Sequence, residues 1–381
     1  MSGETGSVIT RLENELRDIW SAPVPRGELP KSRACTMNLI VIADSPDLAA
    51  RYTPVVDEVT STIPARAIVV GLDPSAAKGT LEGDATAVCT SSETGAPVCS
   101  ERVRLVASGH VCARVASAVL ALCVPEIPTA LVWLGRVHEG DPMFTAIASG
   151  AQRIILDTEY TSLGSLLHLA RWTREGPGRP KLADLAWTRL SPWQEMCARF
   201  FDEPRLRALA KTVTRVSIKQ ASDAGAALGS EGALLLGWLA TSLGWKTVRV
   251  GAALRFVRPD GQDVRVDLGV AKREEGAAAC ALAAVEIEAA AGGLTLRGSI
   301  VRDTSSETGE GAPSPDVLVW QLVVEGASAA EGARLEQRVR LGANKAAKVL
   351  ERTLHREASD ETLLASIAFA EHVVDGGITC G

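Results

Sequence analysis

Leu39-Ile40-Val41-Ile42-Ala43 is an uninterrupted apolar run, and Ala67-Ile68-Val69-Val70-Gly71-Leu72 is a second. A strand with one solvated face alternates apolar and polar residues, whereas a strand covered on both faces does not have to. Between the two runs, Ser45-Pro46 opens a helix that extends to about Ser61. Strand, helix, strand reads as a βαβ unit. It commits this part of the chain to a three-layer α/β sandwich with a mainly parallel sheet. Further strands are expected at Ala85–Thr90, Arg102–Ala107, Ala130–Leu134 and Arg153–Leu156, with a polar loop at Ser91–Ser100. Val111, Val115, Ala118, Val119 and Leu122 mark one helical face before Pro125, and Leu163–Thr173 supplies a last helix.

Ahead of this domain, Ile9, Leu12, Leu16 and Trp20 recur at helical spacing and form an amphipathic arm, expected to pack on its own domain. Behind it, Gly176-Pro177-Gly178-Arg179-Pro180 has the composition of a linker. The chain of 381 residues is long enough for two cores. It divides into a helical arm (1–30), an α/β domain (31–175), a linker (176–183), an α+β domain (184–375) and a disordered tail (376–381).

The second domain changes period. Thr247–Val257 and Val264–Val270 flank the turn Arg258-Pro259-Asp260-Gly261 and read as a hairpin. Val248, Val250, Leu254 and Phe256 are placed on its inner face, and Arg249, Arg255, Asp263, Arg265 and Asp267 on the outer. Leu282–Ala289, Leu294–Val301, Val317–Val324 and Arg334–Leu341 extend an antiparallel sheet. Helices follow at Ala343–His355 and from Ser359-Asp360-Glu361 to about Val374, and Asp303–Pro315 is a long acidic loop. Gly237 and Gly244 weaken the helix around Trp238 and Trp245, so something must approach it closely, by default the sheet.

The junction carries Asp184-Leu185-Ala186-Trp187-Thr188-Arg189-Leu190-Ser191-Pro192-Trp193-Gln194-Glu195. Ser191 is the expected N-cap, and Pro192 suits the first turn. Trp and Arg are enriched where proteins grip partners, and large aromatics are also ordinary core residues. Trp187, Arg189 and Trp193 are the partner-contact candidates, with Trp238 and Trp245 as supporting packing. This stretch, together with "FFDEP", "GWLATSLGW" (Gly237–Trp245), "CTMNLIVIA" (Cys35–Ala43), "PARAIVV" (Pro64–Val70) and "SERVRLVASG" (Ser100–Gly109), resembles the glucose-6-phosphate dehydrogenase assembly protein family, OpcA. The resemblance covers most of the first 250 residues. It implies a non-catalytic partner that binds glucose-6-phosphate dehydrogenase and promotes its active oligomer; the cytoplasm is the expected location because no signal peptide and no membrane-spanning run is visible.

The residues themselves suggest no reaction. The turn Asp44-Ser45-Pro46-Asp47-Leu48 lacks the glycines that a dinucleotide fold needs, and its two acids carry the wrong charge for phosphate. Gly225–Gly232 opens a helix without a Gly-Lys-Ser/Thr ending, and Glu231 stands where an anion would dock. No cofactor and no metal site are expected. The five histidines are isolated, and the eight cysteines lack zinc spacing and are expected reduced. A net charge of −6 argues against nucleic acid, and no apolar run is long enough to span a membrane. The alternative function is a sugar-phosphate-binding enzyme or sensor using the arginine-bearing face of the second sheet, where those arginines would otherwise pair with neighbouring acids.

Overall fold

The computed structural model describes residues 2–23, 31–92, 95–138, 140–174, 178–221, 229–250, 253–271, 281–303, 317–326, 332–340, 346–356 and 360–375. The chain forms two compact units. One comprises Met1–Thr161, His168–Leu185 and Ala346–Ser359, and the other Ser162–Leu167, Ala186–Lys345 and Asp360–Gly381. The expected Asp303–Pro315 loop (except Asp303), residues 225–228 of the glycine-rich segment and the 376–381 tail lie outside the described residues.

The first unit begins with α1 (Ser2–Ser21), β1 (Ser32–Arg33), β2 (Met37–Ala43), α2 (Pro46–Thr60) and β3 (Ala65–Asp73). It continues through β4 (Leu81–Ser92), β5 (Gly95–Ser108), α3 (Val115–Leu122), β6 (Thr129–Leu134), α4 (Pro142–Ser149), β7 (Arg153–Leu156), α5 (Leu163–Arg174, shared with the second unit) and β8 (Lys181–Asp184). The sheet order is β1-β5-β3-β2-β6-β7-β8, every pair parallel, with β4 antiparallel on the outer side of β5. The two apolar runs are β2 and β3 at its centre, and Leu39, Ile40, Val41, Ile68 and Val70 are all at most 1% exposed. Leu39, Val41, Ala67 and Val69 pack with Val56 and Val59 of α2. The alternate residues point to the other face, as strand geometry requires, where α1, α3 and α4 lie. Leu12 and Leu16 anchor α1 there at 0% and 2% exposure, so the arm packs on its own unit.

Three features depart from the sequence reading. The expected linker residues Lys181, Leu182 and Ala183 form, with Asp184, the strand β8 beside β7. The described residues of the expected polar loop Ser91–Ser100, 91–92 and 95–100, belong instead to the paired strands β4 and β5. Their register sets Cys89 opposite Cys99, and the two are joined as a disulfide, so the expectation that all cysteines are reduced is corrected. Cys35, Cys112, Cys123 and Cys197 are free.

The second unit contains α6 (Leu185–Arg189), α7 (Ser191–Arg199), a short 3-10 turn, β9 (Val213–Ala221), α8 (Ser230–Leu243), β10 (Lys246–Val250), β11 (Ala253–Val257) and β12 (Asp263–Ala271). Next come β13 (Leu282–Ala291), β14 (Leu294–Asp303), β15 (Val317–Glu325) and β16 (Ala333–Arg340). Then α9 (Ala346–His355) returns to the first unit, and α10 (Glu361–Asp375) closes the second. The expected helix Ala343–His355 therefore serves the other core from the one assigned to it, with Val349 and Leu350 packed among α2 residues. The sheet order is β10-β11-β12-β9-β13-β14-β15-β16, antiparallel except for the β12–β9 pair. The expected strand Thr247–Val257 is split into β10 and β11, which pair with each other. Val248 then lies opposite Arg255 and is 43% exposed rather than inside.

One face of this sheet is covered by helices. Phe200, just after α7, lies over Gly298 so closely that a Cβ there would stand 2.5 Å from its ring, and it stacks on Trp320 at 5.2 Å between centroids. Gly244 ends α8 in the left-handed conformation at φ +70°, so it is a C-cap rather than an interior weakness. Gly237 faces the backbone carbonyl of Ser366, so the close neighbour of α8 is α10 and not the sheet. Alanine at position 237 would gain about 1 kcal/mol of helix propensity. Its Cβ, however, would press on a backbone that cannot rotate away. Urea unfolding of Gly237→Ala is therefore expected to show a net loss of about 1–3 kcal/mol; a gain would mean that α8 and α10 do not meet there.

Candidate functional site

Open α/β sheets place ligands at the carboxyl ends of their strands. In the first unit the turn after β2 is closed by its own groups. Pro46 has no N–H, the Ser45 hydroxyl accepts from Leu48 N at 3.3 Å, and Ala49 N donates to the Ser45 carbonyl at 3.1 Å. A Cβ on Gly71 would stand 2.7 Å from Pro46 Cα, and one on Gly135 would stand 2.8 Å from Asp44 Cβ. A pyrophosphate needs free amides and clearance at this point, and these residues do not fit it.

A cluster of buried charge lies near the amino end of β3. Glu101, on β5, has a fully buried side chain. It accepts from Trp20 Nε1 at 2.6 Å, Arg33 Nε at 2.8 Å and Arg66 Nε at 2.6 Å, with Cys35 Sγ at 3.7 Å. Arg66, itself only 7% exposed, also donates to Glu13 and to the Leu122 carbonyl, both at 2.9 Å. A cavity of about 560 Å³ opens beside this cluster, lined by Trp20, Lys31, Arg33 and Arg66 among others. Burial alone would raise the Glu101 pKa. The hydrogen bond and charge of Arg66, with Trp20 and Arg33, outweigh it and leave the carboxyl below its ordinary value. General acid–base chemistry requires a proton that can come and go near working pH, and Glu101 is locked ionised. Its role is to clamp α1 and β1 to the sheet.

The four free thiols among the described residues are all held above their ordinary pKa. Burial, and then the Glu101 charge, push Cys35 up. Burial also raises Cys112 and Cys123, and it takes Cys197 to about 12. Among the described residues, no group of three His, Cys, Asp or Glu side chains is placed to hold a metal ion. Among them, too, no helix is long and apolar enough to cross a membrane.

In the second unit the Trp/Arg stretch is largely interior. Trp187 is 4% exposed and donates from Nε1 to Asp360 at 2.6 Å, while the other Asp360 oxygen caps α10 by accepting from Leu363 N at 2.9 Å. Arg189 pairs with Glu231 at 3.3 Å, and Glu231 accepts from Leu282 N at 3.2 Å. Trp193 is 2% exposed beneath the Arg302 guanidinium, and Arg302 Nε donates to the Leu282 carbonyl at 3.1 Å. Ser191 is not the cap that the sequence suggested, because Leu190 occupies that position. Trp187, Arg189 and Trp193 are thus brought together as a brace joining α6, α7, α8, β13, β14 and α10. Asp360 and Arg302 belong to it and were not singled out from the sequence. Trp245 is buried, and Trp238 is half-buried on α8.

The uncovered face of the second sheet carries the arginines of the alternative function. Arg215 pairs with Asp267 and Glu288 at 2.6 and 3.1 Å, Arg265 with Asp267 at 2.9 Å, and Arg255 with Asp263. These cations answer acids of the same chain, as the plainer reading of that face expected, and a phosphate would have to displace those acids.

The chain matches two family models. One is described as the glucose-6-phosphate dehydrogenase subunit N-terminal domain, over residues 56–171, and the other as the C-terminal domain of the same subunit, over residues 180–367. It is 27% identical over 209 residues to a protein of Synechocystis named "Putative OxPP cycle protein OpcA", which covers 54% of this chain and 42% of that protein. A Nostoc punctiforme protein of the same name is 28% identical over 181 residues, or 45% of this chain and 37% of that protein. The matched region therefore spans less than half the length of these curated relatives. Among solved structures, glucose-6-phosphate 1-dehydrogenase from Mycobacterium avium is 10% identical with a TM-score of 0.44, covering 91% of this chain and 93% of that one. UDP-N-acetylglucosamine 3-dehydrogenase from Acidithiobacillus ferrooxidans is 11% identical with a TM-score of 0.41, covering 89% and 97%. Likeness at that level carries no argument about activity.

Glu101→Gln leaves Arg66 buried opposite a neutral group and is expected to cost about 3–5 kcal/mol at pH 7. Because the folded pKa of Glu101 is depressed, the charge contributes in full above the unfolded value of about 4.3 and is lost as pH falls through the folded value. Denaturant unfolding from pH 7 downwards should show the gap between wild type and variant closing only in acid. A gap that stays constant to pH 3 would contradict the ionised clamp.

Proposed function

The chain belongs to the OpcA family of glucose-6-phosphate dehydrogenase assembly proteins, and we propose that it is a non-catalytic partner that binds glucose-6-phosphate dehydrogenase and promotes its active oligomer. The observation that carries this reading is the match of both halves of the chain to domains described as parts of a dehydrogenase subunit. The chemistry of the interior supports it. The Glu101 carboxylate is saturated, the free thiols with resolved shifts are raised, and the turn after β2 is closed on itself.

A partner without chemistry of its own acts by binding one state of the enzyme more tightly than another. Moving an equilibrium from 1:99 to 99:1 takes about 10⁴-fold differential affinity, which calls for a well-shaped surface rather than one contact. In this reading Trp187, Arg189 and Trp193 contribute by fixing the α6–α7 corner, since their own rings and guanidinium are largely covered.

The test is the rate of the dehydrogenase from the same cell, at fixed concentration, as this chain is added over a series. A saturable rise is expected, with no NADP reduction by this chain alone. A flat response across the series would overturn the reading. Trp193→Ala empties a buried site at about 3–5 kcal/mol and confounds folding with contact. Trp187→Phe keeps the packing and removes only the hydrogen bond to Asp360, worth about 1.5–3 kcal/mol for a charged acceptor. Folded Trp187→Phe is expected to need more protein for half-maximal activation, and an unchanged curve would remove this corner from the docking surface.

A further inference from the structure

Strand register sorts the outward residues of the second sheet into rows that run across the strands. From β12 to β16, Asp267, Ser217, Glu286, Ser299, Gln321 and Glu336 stand side by side. One step along each strand, Arg265, Arg215, Glu288, Arg297, Val323 and Arg334 form the next row. The first row holds three carboxylates and no cation, and the second holds four guanidiniums and one carboxylate.

Toward β12 the rows are neutralised within the chain by the Arg215, Arg265 and Asp267 pairs. Toward β16 they are not. Arg297 and Arg334 are exposed and have no ion-pair partner among the described residues, and Glu336 accepts only the Gln321 amide there, at 3.1 Å.

We propose that this face is the interface between two copies of this chain, the acidic row of each lying on the basic row of the other. A twofold axis parallel to the rows and between them exchanges the two rows, which is the self-complementarity that an isologous dimer requires. It brings the Glu336 carboxylate of one copy towards Arg334 of the other, and Ser299 towards Arg297. The one like-charge juxtaposition, Glu286 over Glu288, has Lys219 and Arg215 beside it within each copy. At about 4.8 Å between strands and about 3.3 Å per residue, these six strands present on the order of 800 Å², the area per partner of a standard stable interface. Arg297 and Arg334 straddle Val323 on neighbouring strands, so the charge is spread along a row and suits an extended surface better than a small anion, which takes a concave site.

The test uses this chain alone and is independent of the dehydrogenase. Light scattering on the full chain at tens of micromolar should give twice the chain mass of 40.0 kDa. Arg297→Glu with Arg334→Glu makes the basic row acidic towards β16, and Ser299→Lys with Glu336→Lys makes the facing stretch of the other row basic. Each double variant is expected to unfold at nearly the wild-type temperature, because these side chains lie on the surface. Each should weaken self-association by at least about 100-fold, since like charges then face each other. An equimolar mixture of the two should recover the mass of a pair, because each reversed row then meets an opposite one. A monomeric wild type, variants that still dimerise, or a mixture that stays monomeric would each overturn the proposal.

Discussion

The structure depends on how many faces of each sheet must be kept from water. The first sheet is parallel, and β2 and β3 bury both sides of their strands at exposures of 0–1% for Leu39, Ile40, Val41 and Ile68. Helices are therefore needed above and below it, and the chain returns at its far end to supply α9 beside α2. The second sheet is nearly all antiparallel and needs only one apolar face. Phe200, Trp320 and Leu296 fill that side, with Gly298 left bare so that the Phe200 ring can sit down on the strand. Its other side is free to be polar, and that freedom lets it carry ordered rows of charge.

Charge inside the protein is tied up in holding elements together. Glu101 joins α1, β1 and β3 through Trp20, Arg33 and Arg66, at a site where an uncompensated carboxylate would be expensive. In the other unit, Glu231 and Asp360 play a similar part between Arg189, Trp187 and the backbone of Leu282 and Leu363. Groups engaged in this way are poor acids, bases or ligands. Differential binding of dehydrogenase states, the role proposed for this chain, draws on surfaces instead.

Much of this was legible in the sequence, for identifiable reasons. Burial on both faces leaves an uninterrupted apolar run, so β2 and β3 stand out, as does the β11–β12 turn with Gly261 at φ +82°. The destination of α9 was hidden, because an amphipathic helix shows that one face is buried but not against what. The Cys89–Cys99 bridge was hidden because nothing in Ser91–Ser100 announces that a polar stretch will continue as paired strands. The Glu101 clamp draws on Glu13, Trp20, Arg33 and Arg66, too far apart in the chain for any local pattern to join them. Trp187, Arg189 and Trp193 illustrate an ambiguity of composition. The same residue types serve a grip on a partner and a brace in a core, and the sequence does not distinguish them; in the fold the two rings are 4% and 2% exposed.

The central claim is that this chain works by binding a dehydrogenase rather than by transforming a small molecule. Sedimentation velocity of glucose-6-phosphate dehydrogenase with and without this chain measures that binding directly, without reference to rate. The expected result is a faster boundary containing both proteins, its proportion rising with added chain until the dehydrogenase is saturated. Two boundaries that move as they do separately, at every ratio, would contradict it.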